Sequence, residues 1–171
     1  MKNLNLLIST SRFNETNAST ELWFTLLMCG DIYPIISKLS FRGLIGALSN
    51  IESKKIIHKI QQILKKNPNF FQFILKIIPI DYICETKIKV MSNLIHENHK
   101  KFMNEGDSFK IVLKRRKHEG IERDNLIDRI ASGIDYKVDL ENPDIVIRIE
   151  VLGNYCGISF LAPNDIIRLG N

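Results

Sequence analysis

The sequence predicts an α+β chain made of two domains: a ferredoxin-like βαββαβ domain over residues 1–83, followed by a second α/β domain over residues 84–171. Three observations predict it. Apolar spacing over roughly the first eighty residues switches between period two and period 3.6, in the order strand, helix, strand, strand, helix, strand. With only 9 Gly and 5 Pro in 171 residues, the chain has punctuation between elements but no flexible linker. The charge also changes sign along the chain. Up to His118 there are 19 Lys and Arg against 9 Asp and Glu, a net of +10; beyond it there are 5 against 10, a net of −5.

Each element has a local reason. Residues 4–9 are a short apolar run of strand type. Asn14 or Asn17 is placed to cap a helix covering about residues 21–28, where Leu22, Trp23, Leu26 and Leu27 form an apolar stripe. Residues 32–39 read as a strand, and Pro34 within them favours an edge. Phe41-Arg42-Gly43 is a turn or bulge, and residues 44–48 are the next strand. Ser49 or Asn50 then caps a helix in which Ile56, Ile57, Ile60, Ile63 and Leu64 recur at helical spacing, with Lys54, Lys55, Lys59, Lys65 and Lys66 on the outer side. Asn67-Pro68-Asn69 stops it, and residues 71–78 form a strand ending at Pro79.

The second domain opens with a helix over residues 83–102. After a Glu105-Gly106-Asp107 turn, Phe109-Lys-Ile-Val-Leu-Lys-Arg-Arg116 alternates with period two. One face of this strand carries Phe109, Ile111, Leu113 and Arg115; the other carries Lys110, Val112, Lys114 and Arg116. Asp124 caps a helix with Leu126, Ile127, Ile130 and Ala131 inward, ended by Gly133. Residues 145–152 and 155–161 are strands joined by the two-residue turn Gly153-Asn154. A short helix over residues 163–168 closes the chain.

The composition, 44% hydrophobic and 25% charged, is globular. No apolar run reaches the ~20 residues that span a bilayer, so no membrane is expected. The three cysteines, Cys29, Cys84 and Cys156, are odd in number and sit in apolar context, which predicts buried thiols in a reducing, cytoplasmic setting. Enzyme machinery is not legible. There is no Gly-rich phosphate loop and no Gly-x-Ser-x-Gly. His96 and His99 lack further ligands for a metal. Of the acidic pairs Asp139/Glu141 and Asp144/Glu150, the first lies in the loop after a helix, where turns and caps use Asp routinely, and acid–base catalysis is not expected. No cofactor is expected.

What remains is binding. Lys114, Arg115, Arg116 and Lys117 form four consecutive cations at a strand end, a device suited to phosphate. Lys87, Lys89, Lys100 and Lys101 add to it from the preceding helix, and Arg42 sits beside a Gly, where backbone approaches a ligand closely. No aromatic pair of the RNA-recognition type lies on a strand, so backbone and shape are the expected readout. The lysines of residues 54–66 read as a solvated helix face.

The strand 109–116 ending in Lys-Arg, the helix after it, and Val138-Asp-Leu-Glu-Asn-Pro-Asp-Ile-Val-Ile-Arg-Ile-Glu-Val151 together resemble the THUMP domain. Gly157-Ile-Ser-Phe160 and the near-terminal Asn171 resemble its tRNA acetylation adaptor branch, the Tan family. The resemblance covers residues 84–171 specifically; over residues 1–79 it rests on element order alone. It implies a tRNA-binding adaptor that holds the acceptor stem and 3′ end. A separate tRNA cytidine acetyltransferase, using acetyl-CoA and ATP, would then make 4-acetylcytidine in the D arm. The motif carries Lys114, Arg115 and Arg116 over as RNA contacts. Other THUMP proteins continue into thiouridine synthetase, methyltransferase or deaminase domains. None is read here, so a non-enzymatic role is expected, with the RNA-binding part of such an enzyme as the alternative.

Overall fold

The structure is a computed structural model, and it describes residues 3–116 and 120–169. Its elements in chain order are β1 (Leu6–Thr10), α1 (Glu15–Met28), β2 (Ile35–Lys38), β3 (Leu44–Leu48), α2 (Ser53–Lys66), β4 (Ile74–Pro79), β5 (Tyr82–Glu85), α3 (Ile88–Asn98), β6 (Ser108–Arg116), α4 (Arg123–Ala131), β7 (Lys137–Val138), β8 (Ile145–Leu152), β9 (Tyr155–Leu161) and β10 (Ile167–Arg168). They form two compact units: Met1–Ile80 with Asn164–Asn171, and Asp81–Pro163. The predicted α+β class holds.

The first unit is a five-stranded antiparallel sheet in the order β10-β4-β1-β3-β2, the ferredoxin-like arrangement with one added edge strand. Central β1 buries Leu6, Leu7 and Ile8 on both faces. From α1, Ala18, Leu22 and Leu26 at four-residue steps pack onto the sheet, joined by Ile56, Ile57 and Ile60 of α2. β2 begins just after Pro34 and lies at the edge, where a missing N–H costs no ladder bond. Two carboxylates of α1 tie down loops. Glu21 accepts from the backbone N–H groups of Gln72, Phe73 and Ile74 at 2.6, 3.1 and 3.0 Å. Glu15 accepts from Gly43 N–H at 2.6 Å. The outer face of α1 stays apolar, leaving Trp23, Phe24 and Met28 exposed.

Two local expectations change here. The N-cap of α2 is Glu52, whose carboxylate accepts from Lys54 N–H at 3.1 Å. Ser49 and Asn50 are not the cap. Ser49 belongs to the turn before it, held on both sides by the Asn5 amide at 2.9 and 3.0 Å. The expected helix over residues 163–168 is instead a turn followed by strand β10, with Ile167 opposite Ile77 and buried in the first core. A helix that short pays nucleation with little return, whereas the open edge of β4 offers unpaired backbone groups.

The second unit is a five-stranded sheet in the order β5-β9-β8-β6-β7. β6 runs parallel to β7 and β8, and the other pairs are antiparallel. The β6–α4–β8 crossover supplies the helix that a parallel connection needs. Phe109 of β6, Ile145, Ile147, Ile149 and Val151 of β8, and Cys156, Ile158 and Phe160 of β9 face one core with Met91 and Ile95 of α3 and Leu126 and Ile130 of α4. Phe102 stacks on Phe160 with centroids 4.6 Å apart and planes within 5°.

The helix expected from residue 83 begins only at Ile88, because Tyr82–Glu85 is a strand paired to β9. This pairing sets Cys84 directly opposite Cys156, with the sulfurs 3.4 Å apart and both thiols free. Their hydrogen bond holds the Cys84 thiol below its usual range and pushes Cys156 well above it. Asp124 is not the cap of α4 but sits in its first turn; Glu122 occupies the cap position without a side-chain bond.

Candidate nucleic-acid interface

β6 leaves the core as it runs. Phe109 is fully buried, residues 110–113 are half-buried, and Lys114 and Arg115 are exposed. Alternation sends Arg115 to the helix-covered face and Lys114 and Arg116 to the other, in parallel register with Glu150 and Leu152 of β8.

The cations at this strand end differ in their freedom. The Arg115 guanidinium donates to the carbonyl of Ile121, in the segment leading into α4, at 2.5 Å. Arg116 donates through Nη1 to Glu150 Oε2 at 2.6 Å. Arg148 approaches the same carboxylate from its own strand, with Nε 2.7 Å and Nη2 2.6 Å from Oε1. Glu150 is fully buried, while the Arg116 side chain keeps 35% of its surface. Two guanidiniums on one carboxylate leave a net positive charge, and Arg116 carries the part that meets solvent. Lys114 stands exposed beside them. Lys117, and the Asn171 of the resemblance, lie outside the described residues.

The other predicted cations fall in separate places. Lys87 is the N-cap residue of α3, with its ammonium 2.6 Å from the Glu85 carboxylate; the hydrogen bond to Glu85 holds Lys87 above its ordinary value and Glu85 below its own. Lys89 is exposed in the first turn of that helix. Lys101, in the helical turn after α3, bonds Asn98 Oδ1 at 2.7 Å. Arg42 is exposed in the first unit. The adjacent Gly43 makes a close approach to its own sheet and not to a ligand. Its φ is +74°, and a Cβ there would lie 2.7 Å from the carbonyl oxygen of Thr10. On α2, Lys59 reaches the Cys29 carbonyl at 2.7 Å.

The polar residues weighed for chemistry have structural partners. His96 Nε2 lies 2.9 Å from the Ile130 carbonyl, and buried His99 packs edge-on to Tyr136. Asp139 accepts from the N–H groups of Glu141 and Asn142, closing a turn. Asp144 accepts from the Ser108 N–H and hydroxyl, both at 2.8 Å, and so anchors the start of β6. These backbone bonds, first from Asn142 and from Ser108, hold both carboxyls below the usual range. Asp144 and Glu150 are separated by six residues of strand, roughly 20 Å at its rise per residue, and do not pair. Among the described residues no three His, Cys, Asp or Glu side chains gather as a metal site, and no helix is long and apolar enough to cross a membrane. Sequence reasoning missed the role of Glu150 as the carboxylate that anchors Arg116. The signal was present as two charges, Arg148 and Glu150, in an otherwise apolar strand.

Comparison with known proteins bears on the second unit directly. Residues 86–161 match the family model described as the THUMP domain. THUMP domain-containing protein 1 of Bos taurus is 28% identical over 130 residues, covering 71% of this chain and 36% of that protein. The chain spans about a third of the length of the curated relatives it matches. Among solved structures, a Pyrococcus horikoshii protein superposes with a TM-score of 0.70 at 16% identity, over 95% of this chain and 54% of the other. A 4-thiouridine synthetase in complex with RNA and ATP superposes with a TM-score of 0.53 at 16% identity, over 97% of this chain and 42% of the other. These likenesses at low identity concern the fold. The match runs from the residues just before α3 to the end of β9, so this part of the chain is similar to the THUMP domain.

Proposed function

We propose that the chain is a non-catalytic, cytoplasmic tRNA-binding adaptor. It would hold the acceptor stem and 3′ end and present the tRNA to a separate acetyltransferase that forms 4-acetylcytidine in the D arm. The observation that carries the reading is the basic end of β6 on a domain similar to THUMP, with Arg116 held in place by a buried carboxylate and Lys114 open to solvent. An arginine fixed by Glu150 presents its remaining donors without paying to order a long side chain, which suits a phosphate backbone. The RNA in the complex of the structurally similar 4-thiouridine synthetase supports RNA as the ligand class. The acetylation step is supported by the Gly157-Ile-Ser-Phe160 resemblance.

A second reading is that the chain is the RNA-binding part of another tRNA-modifying enzyme. It is favoured by the share of the solved neighbours, 42% to 54%, that the chain covers. Nucleoside analysis of tRNA from a strain lacking this chain separates the two. Loss of 4-acetylcytidine with other nucleosides intact is the expected result. Loss of a thiouridine or a methylated guanosine, with 4-acetylcytidine retained, would assign the chain to the second reading.

A further inference from the structure

β5 is an edge strand of the second sheet, and its antiparallel register with β9 sets Cys84 directly opposite Cys156. Residues so paired share a face of the sheet and have Cα atoms about 4.5 to 5.5 Å apart. A disulfide takes Cα separations of roughly 4.4 to 6.8 Å, so the backbone already meets its requirement. The sulfurs stand 3.4 Å apart and both thiols are free. Closing to the about 2.0 Å of the bond asks only for a small side-chain rotation and a slight give of the strand.

The two cysteines differ in surroundings. Cys156 is fully buried in the core of the second unit, whereas Cys84 is half-buried on the edge strand and packs against that core. An edge strand is held by one neighbour only, so it opens locally more readily than a central one. The hydrogen bond from Cys156 holds the Cys84 thiol below its ordinary value, against the opposing effect of burial. The thiolate is the nucleophilic form, so Cys84 is the partner that reacts and Cys156 the partner that resolves. Cys29 offers a contrast: it lies in the core of the first unit, and burial holds its thiol above the ordinary value.

We infer that Cys84 and Cys156 are a modification site for a small peroxide, whose product is a disulfide that staples β5 to β9. In the first step the Cys84 sulfur attacks hydrogen peroxide. An S–O bond forms, the O–O bond breaks, and the leaving hydroxide takes up the thiol proton as water. In the second, the Cys156 sulfur attacks the Cys84 sulfenic acid. The S–S bond forms, the S–O bond breaks, and the departing hydroxyl takes the Cys156 proton as a second water. Two thiols are oxidised by two electrons, and one peroxide is reduced to two waters. The bond joins residues 72 apart in sequence, so it constrains the unfolded chain strongly. It also pins the strand that leads directly into α3, where Lys87 and Lys89 stand. Disulfides that form in a reducing compartment are of this transient, sensing kind.

The test treats the purified, reduced chain with hydrogen peroxide and reads intact mass, proteolytic peptides and melting temperature. The expected result is a loss of two hydrogen atoms, a peptide pair joined through Cys84 and Cys156, and melting about 10 °C higher, all reversed by dithiothreitol. Cys84→Ser is expected to show none of these changes and Cys29→Ser all of them. If Cys84→Ser does not fold, the peptide maps of wild type and Cys29→Ser decide the matter. Thiols untouched by peroxide, Cys84 carried on to sulfinic acid, or a bond to Cys29 or to a second chain would overturn the inference. A Cys84–Cys156 bond that leaves the melting temperature unchanged or lowers it would overturn the staple.

Discussion

The two most basic stretches of the chain, the end of β6 and the outer face of α2, carry their cations in different ways. On α2 the lysines follow from amphipathicity: isoleucines at helical spacing occupy the inner face and lysines the outer. Lys55, Lys65 and Lys66 are exposed, and Lys59 returns to the carbonyl of Cys29. At β6 the cations are arginines with assigned partners. Arg115 holds the segment before α4, and Arg116 shares buried Glu150 with Arg148. Equal charge does not make equal sites. A lysine on a helix face keeps its rotamer freedom and must lose it to hold a phosphate, whereas an arginine bound on one side by a carboxylate has already lost it.

The sharpest test of that difference removes the carboxylate. Glu150→Ala leaves Arg148 buried and unpaired and is expected to destabilise the second unit by about 3–5 kcal/mol, read by urea unfolding. A loss under about 1 kcal/mol would mean that the arginines are solvated after all and that the contrast with α2 is empty. A smaller effect is expected for binding. Lys114→Ala touches no bond of the triad, so it should leave stability unchanged and lower the slope of log affinity against log salt for tRNA by about 1. The double variant Lys65→Ala/Lys66→Ala should leave that slope where it is. Equal losses from both would put α2 in the interface.

The smallest effect concerns how β6 is seated. The Asp144 carboxyl is depressed by its bonds from Ser108, so it binds its proton less readily folded than unfolded. That contribution is complete above the ordinary value of 3.8 and is lost as pH falls through the lower folded value. Wild type should therefore lose urea resistance below about pH 4 more steeply than Asp144→Asn. Parallel pH curves for the two proteins would show that Asp144 does not seat the strand.

Three strands were legible to the residue. β3, β8 and β9 have the bounds that the apolar runs and the Gly153-Asn154 turn predict. The helices were legible on their buried faces, and Asn14 does stand at the N-cap of α1, but the caps of α2 and α4 were misjudged. Asn5, forty-four residues away in sequence, holds the turn that Ser49 would otherwise have left to cap α2. In the site, the sequence showed which residues carry charge but not which of them are engaged. Nothing near Arg116 in sequence says that Glu150 lies beside it; parallel pairing of β6 with β8 places it there.

Local spacing and turn chemistry were enough to settle the α+β class, the ferredoxin-like order of the first six elements, and the alternation that sends β6 out of a core into a row of cations, because periodicity is a property of neighbouring residues. Three features waited for the tertiary structure. β5 and β10 are edge strands whose only reason to be strands is a partner far along the chain. Cys84 and Cys156 meet because β5 pairs with β9. The division of labour among the cations at the end of β6 depends on a buried carboxylate supplied by another strand. Backbone pairing and burial act between residues that are distant in sequence, and their energies override local preference wherever a segment is too short to hold its own structure.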